Sequence, residues 1–466
     1  MKRNHKIIAL VCLLLMIPCF MLPVSANSRA QEWYGTDGNG VIFADGDVPI
    51  EVTREILTFD INTLPYATYR DEETFLAYDS KVTAEYTFHN PTDMTVTATL
   101  LFPFGTHPEY YRRGNDTDKY GVMVNGEKIN ATLRHTNFND NFNAENDAGQ
   151  LYDDYITDEI YSPDATVTKY IYEIGGSQAA SDSFSIRLSN LTEKQIPFTY
   201  QGNLGSYRDT KNGDFVFSHH TTKAGETKTV SFYVVGEPLR KLPETSWQTK
   251  DGLTEGRYVN FLGTETTTLI DFLKAQRYDG RISDVDWYNS CIEQMKSLEV
   301  VYKGQRAIRF LSFFSVLRWY EYEITIEPGE SITNTVVAPL YPEIEAWNRP
   351  IKYNYTYYLS PAACWADFGE LEILINCPYT MLETNIEGFE KTEDGYRYVS
   401  QGLPTENGEA VDLTFTLEGD DTPLHQPAGD TATAAAEGFM QFLQVAFIVI
   451  MYIGNFIFSF IQSLFN

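Results

Sequence analysis

Apolar and polar residues alternate with a period of two along much of the chain. Val82, Ala84, Tyr86 and Phe88 are spaced by polar residues; after the turn sequence His89-Asn90-Pro91-Thr92-Asp93, the residues Met94, Val96, Ala98, Leu100 and Phe102 repeat the pattern. Period-two alternation belongs to a strand with one face on a core and the other toward solvent, so these runs predict an antiparallel hairpin. A second hairpin is predicted over 120–133, where Asn125-Gly126 supplies the positive φ angles of a two-residue turn. Further strands are predicted at 50–52, 56–61, 167–174, 184–188, 195–200, 214–217 and 229–235. After residue 300 the pattern returns. Tyr320, Tyr322, Ile324 and Ile326 alternate with Glu321, Glu323, Thr325 and Glu327, and strands follow at 332–340, 353–359, 371–375, 396–399 and 411–417.

Between these blocks the period changes. Val285, Tyr288, Cys291, Ile292, Met295 and Leu298 fall at helical spacing, with Ser283 or Asp284 as N-cap, and 266–277 also has helical character. The stretch 137–164, crowded with Asn, Asp and Tyr, reads as a long surface loop. The sequence therefore predicts a mainly β protein: two antiparallel β-sandwich domains with a small helical insertion and a C-terminal transmembrane helix. The expected boundaries are an opening loop at 27–47, a first sandwich at 48–245, the helical insertion at 246–300, a second sandwich at 301–418 and a linker at 419–438. A Gly-Glu pair opens a Thr/Val-rich strand three times, at Gly225-Glu226, Gly329-Glu330 and Gly408-Glu409. Related sandwiches would produce this echo, and so would ordinary turn chemistry.

The two ends set the location. Lys2, Arg3 and Lys6 precede the apolar run 7–22, and Val24-Ser25-Ala26 offers small residues for cleavage before Asn27, so 1–26 reads as a signal peptide. An uncleaved anchor is the alternative. Residues 439–465 carry no charge and span about 40 Å as a helix, more than the roughly 30 Å hydrocarbon core. They predict a single-pass membrane helix with the ectodomain outside the cell; an interfacial helix or a glycolipid-anchor signal would carry a similar tail. No Lys or Arg follows Arg397, so the usual positive cytoplasmic flank is missing. Gln441, Gln444, Tyr452, Asn455, Ser459, Gln462 and Asn466 line one helical face, interrupted by Ile448. Amides in lipid call for partners, so this face predicts association with a second copy or a partner helix.

Net charge is −29, which repels nucleic acid and anionic headgroups and leaves divalent cations or a basic surface as fitting partners. The 14% aromatic content suits pleated surfaces. Beyond the leader the cysteines are Cys291, Cys364 and Cys377, an odd count with no metal-ligand spacing. Cys364 and Cys377 are close enough in sequence to bridge a local loop. Signatures of hydrolases and nucleotide binders are absent. Of the remaining chemistry, His219-His220 is the sole His pair, and paired acids (Glu72-Glu73, Asp153-Asp154, Asp158-Glu159) suit solvated faces. Clustered oxygen ligands at Asp37, Asn39, Asp45 and Asp47, and again over 139–147, make calcium the one cofactor to consider, although neither run has EF-hand order. Tyr110, Tyr111, Tyr152, Tyr155 and Tyr161 are candidates for stacking on sugars or docking a protein.

The run Val82-Thr83-Ala84-Glu85-Tyr86-Thr87-Phe88-His89-Asn90-Pro91, then Leu101-Phe102-Pro103 and the hairpin Val122-Met123-Val124-Asn125-Gly126-Glu127-Lys128-Ile129, resembles VIT-type domains. Tyr358-Leu359-Ser360-Pro361 with Trp365 and Phe368, continuing into Leu371-Glu372-Ile373, resembles the later part of exported bacterial proteins with a similar N-terminal sandwich and a C-terminal anchor. The resemblance covers about a third of the chain. It implies a β-sandwich with protein-interaction and envelope-associated roles rather than catalysis; the von Willebrand A domain that often accompanies VIT domains is missing, and the matching positions are structural. The expected function is thus a non-enzymatic surface ectodomain that binds or scaffolds a protein or glycan of the cell envelope. A subunit of a membrane complex assembled through the tail, or a hydrolase with an unrecognised site, are the alternatives.

Overall fold

The computed structural model describes residues 40, 43–44, 48–64, 80–106, 120–138, 144–176, 183–200, 204–209, 213–220, 225–248, 257–309, 311, 316–345, 348 and 350–419. The chain clusters into two units, and Trp33–Glu345 with Lys352–Gly419 form the one described below. It is mainly β, built from several sheets.

The alternation read from the sequence becomes the inner faces of the strands. In Lys81–His89, Val82, Ala84, Tyr86 and Phe88 are buried, while Lys81 and Glu85 are exposed. The two-residue turn also forms as expected: Gly121–Val124 and Glu127–Ile129 pair around Asn125 (φ 50°) and Gly126 (φ 80°). Those angles make the turn twist with the strands it joins.

Two strands depart from simple alternation. In Val96–Thr106 and Val316–Ile326, which pair with each other, the stretches 100–106 and 316–320 are buried on both faces. Leu101, Leu317 and Trp319 point away from the main core and are covered by Phe138, Ala148 and Leu151. Part of the predicted surface loop is therefore a lid over a second, smaller core. It includes the short helix α1, Ala144–Ala148.

The central element is an eight-stranded sheet in the order Glu390–Lys391, Gly395–Gln401, Asp367–Asn376, Glu51–Asp60, Lys81–His89, Ser331–Pro339, Gly121–Val124, Glu127–Ile129. Its strands come from both segments assigned to separate sandwiches. Ser331–Pro339 lies between Lys81–His89 and Gly121–Val124. Glu51–Asp60 pairs with Asp367–Asn376 in parallel, so the sheet is not purely antiparallel. Two four-stranded sheets pack on it. One contains Val96–Thr106, Val316–Ile326 and Thr132–Asn137, and Tyr322 on it receives a hydrogen bond from Asn334 Nδ2 of the large sheet at 2.9 Å. The other contains Lys352–Tyr357 and Leu413–Glu418, and sets Tyr357 and Phe415 edge-on to Phe59 at 5.5 and 5.4 Å.

Between Thr132–Asn137 and Val316–Ile326 the chain builds a separate sandwich. One sheet runs Gln195–Phe198, Thr227–Gly236, Thr166–Gly175, Tyr258–Thr268, and the other Gly205–Arg208, Phe215–His220, Ser183–Leu188, Glu244–Gln248. Its core stacks Tyr170 on Phe232, with Phe184, Ile186, Phe215, Phe217 and Val234. The region expected as a helical insertion thus opens with two strands, and Thr268 is the N-cap of α2 (Leu269–Lys274), accepting from Asp271 N. The helix α3, Asp284–Ser297, has the expected cap: Ser283 Oγ accepts from Asp286 N. Its Trp287, Tyr288, Cys291, Ile292 and Met295 pack against Ile196, Phe198, Val235 and Val316. No helix among the described residues is long and apolar enough to cross a membrane, and the tail 439–465 lies outside them. Cys291, Cys364 and Cys377 are free thiols, so the Cys364–Cys377 bridge does not form.

The two strands expected to pair as the first hairpin instead find partners in different sheets, Lys81–His89 between Glu51–Asp60 and Ser331–Pro339 and Val96–Thr106 beside Val316–Ile326, and Asn90 anchors the turn between them. Its Nδ2 donates to the carbonyls of Met94 (2.7 Å), Ile326 (2.9 Å) and Glu327 (3.2 Å), and its Oδ1 accepts from Thr92 N and Oγ1. Removing it leaves several buried groups unpaired, each worth about 1–3 kcal/mol. Asn90→Ala is expected to lower unfolding free energy by about 3 kcal/mol in urea titration, far beyond the effect of Thr97→Ala on the exposed face.

Candidate functional site: a buried charge junction and an open sheet edge

A buried cluster of ionisable groups lies where α3 meets the strand Thr132–Asn137. Asp286, in the first turn of α3 and 3% exposed, accepts from Arg134 Nε (3.2 Å) through one oxygen and from the backbone N–H of His135 (3.0 Å) through the other. Arg134 Nη1 also reaches Glu321 (3.1 Å) and Asp153 (3.3 Å), and Nη2 donates to the carbonyl of Tyr152 (2.9 Å). Burial opposes the Arg134 charge, but Asp286, Glu321 and Asp153 more than offset it, so the guanidinium holds its proton more tightly than usual.

His135 stands beside this pair with its side chain 2% exposed and Nδ1 3.9 Å from Asp286 Oδ2. Burial lowers its pKa, only partly countered by Asp286, and the ring is neutral at pH 7. An Asp–His pair suggests general-base chemistry, but the geometry points elsewhere. The carboxylate binds the His135 backbone rather than its ring, and the neighbouring Thr136 Oγ1 accepts from Trp319 Nε1 at 2.8 Å. A base must reach the proton it abstracts, and this imidazole is enclosed. The cluster fastens the helical layer to the sheet.

The other candidate residues are similarly engaged. Tyr161 is buried and donates to Glu299, which also holds Arg306 through both oxygens (2.6 and 2.8 Å). Burial first, and then Glu299, keep the Tyr161 phenol un-ionised well above its ordinary range. Tyr155 packs edge-on against Tyr288, while Tyr152 is exposed. Asp158 caps the backbone of Ile160 and Tyr161 and meets Lys296. His219 stands 3.8 Å from Glu226, and burial lowers its pKa. No group of three or more His, Cys, Asp or Glu among the described residues is arranged to hold a metal. Asp37, Asn39, Asp45 and Asp47, the tail residues Gln441, Gln444, Asn455, Ser459 and Gln462, and Glu72, Glu73, Tyr110 and Tyr111 lie outside the described residues.

The feature missed in the sequence is a sheet edge. Among the described residues, Tyr258–Thr268 pairs on one side only, with Thr166–Gly175, and ends its sheet. Leu262 is 56% exposed at a bulge between Phe261 and Gly263, flanked by Phe261 (40%) and Tyr258 (38%). The strand's one charged side chain, Glu265, is engaged by Lys169 at 3.0 Å. Natural edges are usually blunted by charge or proline, because an open ladder invites another strand.

Removing one member of a buried ion pair strands the other, at about 3–5 kcal/mol. Asp286→Ala is expected to fall in that range by urea denaturation, and Arg134→Met with Asp286→Leu together to recover most of the loss.

No protein-family model matches the chain, and no curated protein matches it in sequence. Among solved structures, it is similar to a candidate nutrient-binding protein from Legionella pneumophila, at 10% identity and a TM-score of 0.34, covering 83% of this chain and 72% of that one. At that score the likeness assigns neither a fold nor a ligand to this chain.

Proposed function

We propose that the chain is the ectodomain of an exported, membrane-tethered protein that binds or scaffolds a protein or glycan of the cell envelope and performs no catalysis. The observation that carries this reading is the division of labour among its polar groups. Arg134, His135, Asp286, Tyr161 and Glu299, which have the chemistry of a site, are spent on joining layers, whereas Tyr258, Phe261 and above all Leu262 on the edge strand keep much of their apolar surface in solvent. Such an edge takes an extended segment by strand addition, main-chain hydrogen bonds giving affinity and alternate side chains giving selectivity. A protein partner is therefore favoured over a glycan. The signal peptide and C-terminal helix read from the sequence would present this edge outside the membrane.

The test uses the full-length protein in its own membranes. A photo-crosslinking side chain at position 262 is expected to capture a discrete partner, and Leu262→Lys to weaken that partner's retention at least about tenfold with a melting temperature near wild type. Equal retention by Leu262→Lys would remove the edge from the binding surface.

A further inference from the structure

Glu55 lies in the middle of the central sheet with no exposed surface. Neither carboxyl oxygen has a partner in full hydrogen-bond geometry, and no described Lys, Arg or His pairs with it. Its neighbours explain how it is tolerated. Along the row, Glu55 stands opposite Tyr86 on one side and the apolar Leu371 on the other. Tyr86 in turn stands opposite Asn334, which gives its amide to Tyr322 on the sheet packed against that end. From the other facing sheet the titratable group turned toward Glu55 is Tyr357, whose hydroxyl also meets Tyr86. Tyr357 Oη donates to the carbonyl of Gly40 at 3.0 Å. Gly40 is held again by its own N–H on Pro103 O (3.1 Å), and a Cβ there would crowd Tyr358.

These groups form a chain whose proton order matters. A neutral Glu55 can donate to Tyr86, Tyr86 to Tyr357, and Tyr357 to Gly40. A carboxylate reverses the first link, since it only accepts. Tyr86 then gives its proton to Glu55, and its oxygen competes with the Gly40 carbonyl for the proton of Tyr357. We propose that Glu55 is a buried proton switch that controls how firmly Gly40 is seated against the central sandwich: the neutral acid holds it, and ionisation loosens it.

Burial pushes the Glu55 carboxyl up to about 8, with Tyr86 opposing. The folded chain keeps this proton from about pH 4.5, where the unfolded chain releases it, to about pH 8. The group's contribution therefore weakens as pH rises through that window and stays low above it. The seat at Gly40 should loosen only as the folded-state group itself ionises.

Hydrogen exchange read by mass spectrometry on the full-length protein tests the proposal. Protection of the peptide containing Gly40, corrected for intrinsic exchange, is expected to fall about tenfold between pH 7 and pH 9.5 in wild type, while a peptide containing Phe232 in the other sandwich is unchanged. Glu55→Gln, neutral at every pH, should abolish the fall. Tyr357→Phe, which removes the donor to Gly40, should give low protection throughout. Constant protection in wild type, or the wild-type profile retained in Glu55→Gln, overturns the proposal. Should Glu55→Gln fail to fold, infrared difference spectra of the wild type decide: loss of a protonated-carboxyl C=O band between pH 7 and pH 9.5 supports the switch, and its absence overturns it.

Discussion

The parallel pairing of Glu51–Asp60 with Asp367–Asn376 is the contact on which the rest of the fold depends. It joins positions 316 residues apart in register, as the Arg54–Glu370 ion pair across it shows (2.9 Å). Parallel strands cannot be joined by a tight turn, so everything between must leave the sheet and return. Here the excursion includes the hairpin turned at Asn125-Gly126, a complete second sandwich and three helices before Ser331–Pro339 re-enters beside Lys81–His89. The central core closes only when the last third of the chain arrives. Such long-range closure makes folding slow, because loop entropy is lost before native contacts compensate it.

Local chemistry was legible in the sequence and pairing was not. The turn at Asn90, the turn at Asn125-Gly126 and the cap at Ser283 each depend on residues a few positions apart, and each forms as read, whereas the strands flanking Asn90 do not pair as the expected hairpin but enter different sheets. The sharing of one sheet by 51–129 and 331–401 depends on contacts between distant segments, which period-two patterns do not encode. Tyr258–Thr268 escaped for a different reason: almost wholly exposed, it lacks the apolar alternation by which a half-buried strand announces itself, and its threonines read as the start of a helix. The three Gly-Glu turns have a local cause, since Gly225, Gly329 and Gly408 all adopt positive φ (65°, 70° and 90°), a conformation glycine takes without strain.

Glu55 shows how a single irregularity hides a core residue. In Glu51–Asp60 the buried positions are Val52, Glu55, Leu57 and Phe59, so the alternation changes phase between 52 and 55. A bulge between Val52 and Arg54 accounts for the change. Counted from Val52, Glu55 belongs outside; counted back from Phe59 and Leu57, it belongs inside. The second count was available in the sequence, and it places a carboxyl among apolar neighbours.

Charge scarcity explains why the joints between layers sit where they do. With 64 acidic and 35 basic side chains, carboxylates outnumber their possible partners, and each arginine can serve several. Arg134 gathers Asp286, Glu321 and Asp153, and Arg187 gathers Asp209 and Asp214. Arg318, buried against Phe104, satisfies the carbonyls of Gly105 and Thr106 where Val316–Ile326 meets the end of Val96–Thr106. Arginine suits this work because its planar fork reaches several acceptors at once and keeps its charge when buried. The consequence is asymmetric. Losing the exposed Asp153 carboxylate leaves Asp286 and Glu321 to hold the cation, whereas losing the arginine leaves the buried Asp286 and the partly buried Glu321 without the cation they share. On this acidic chain the few central cations, more than the many acids, determine whether the layers stay joined.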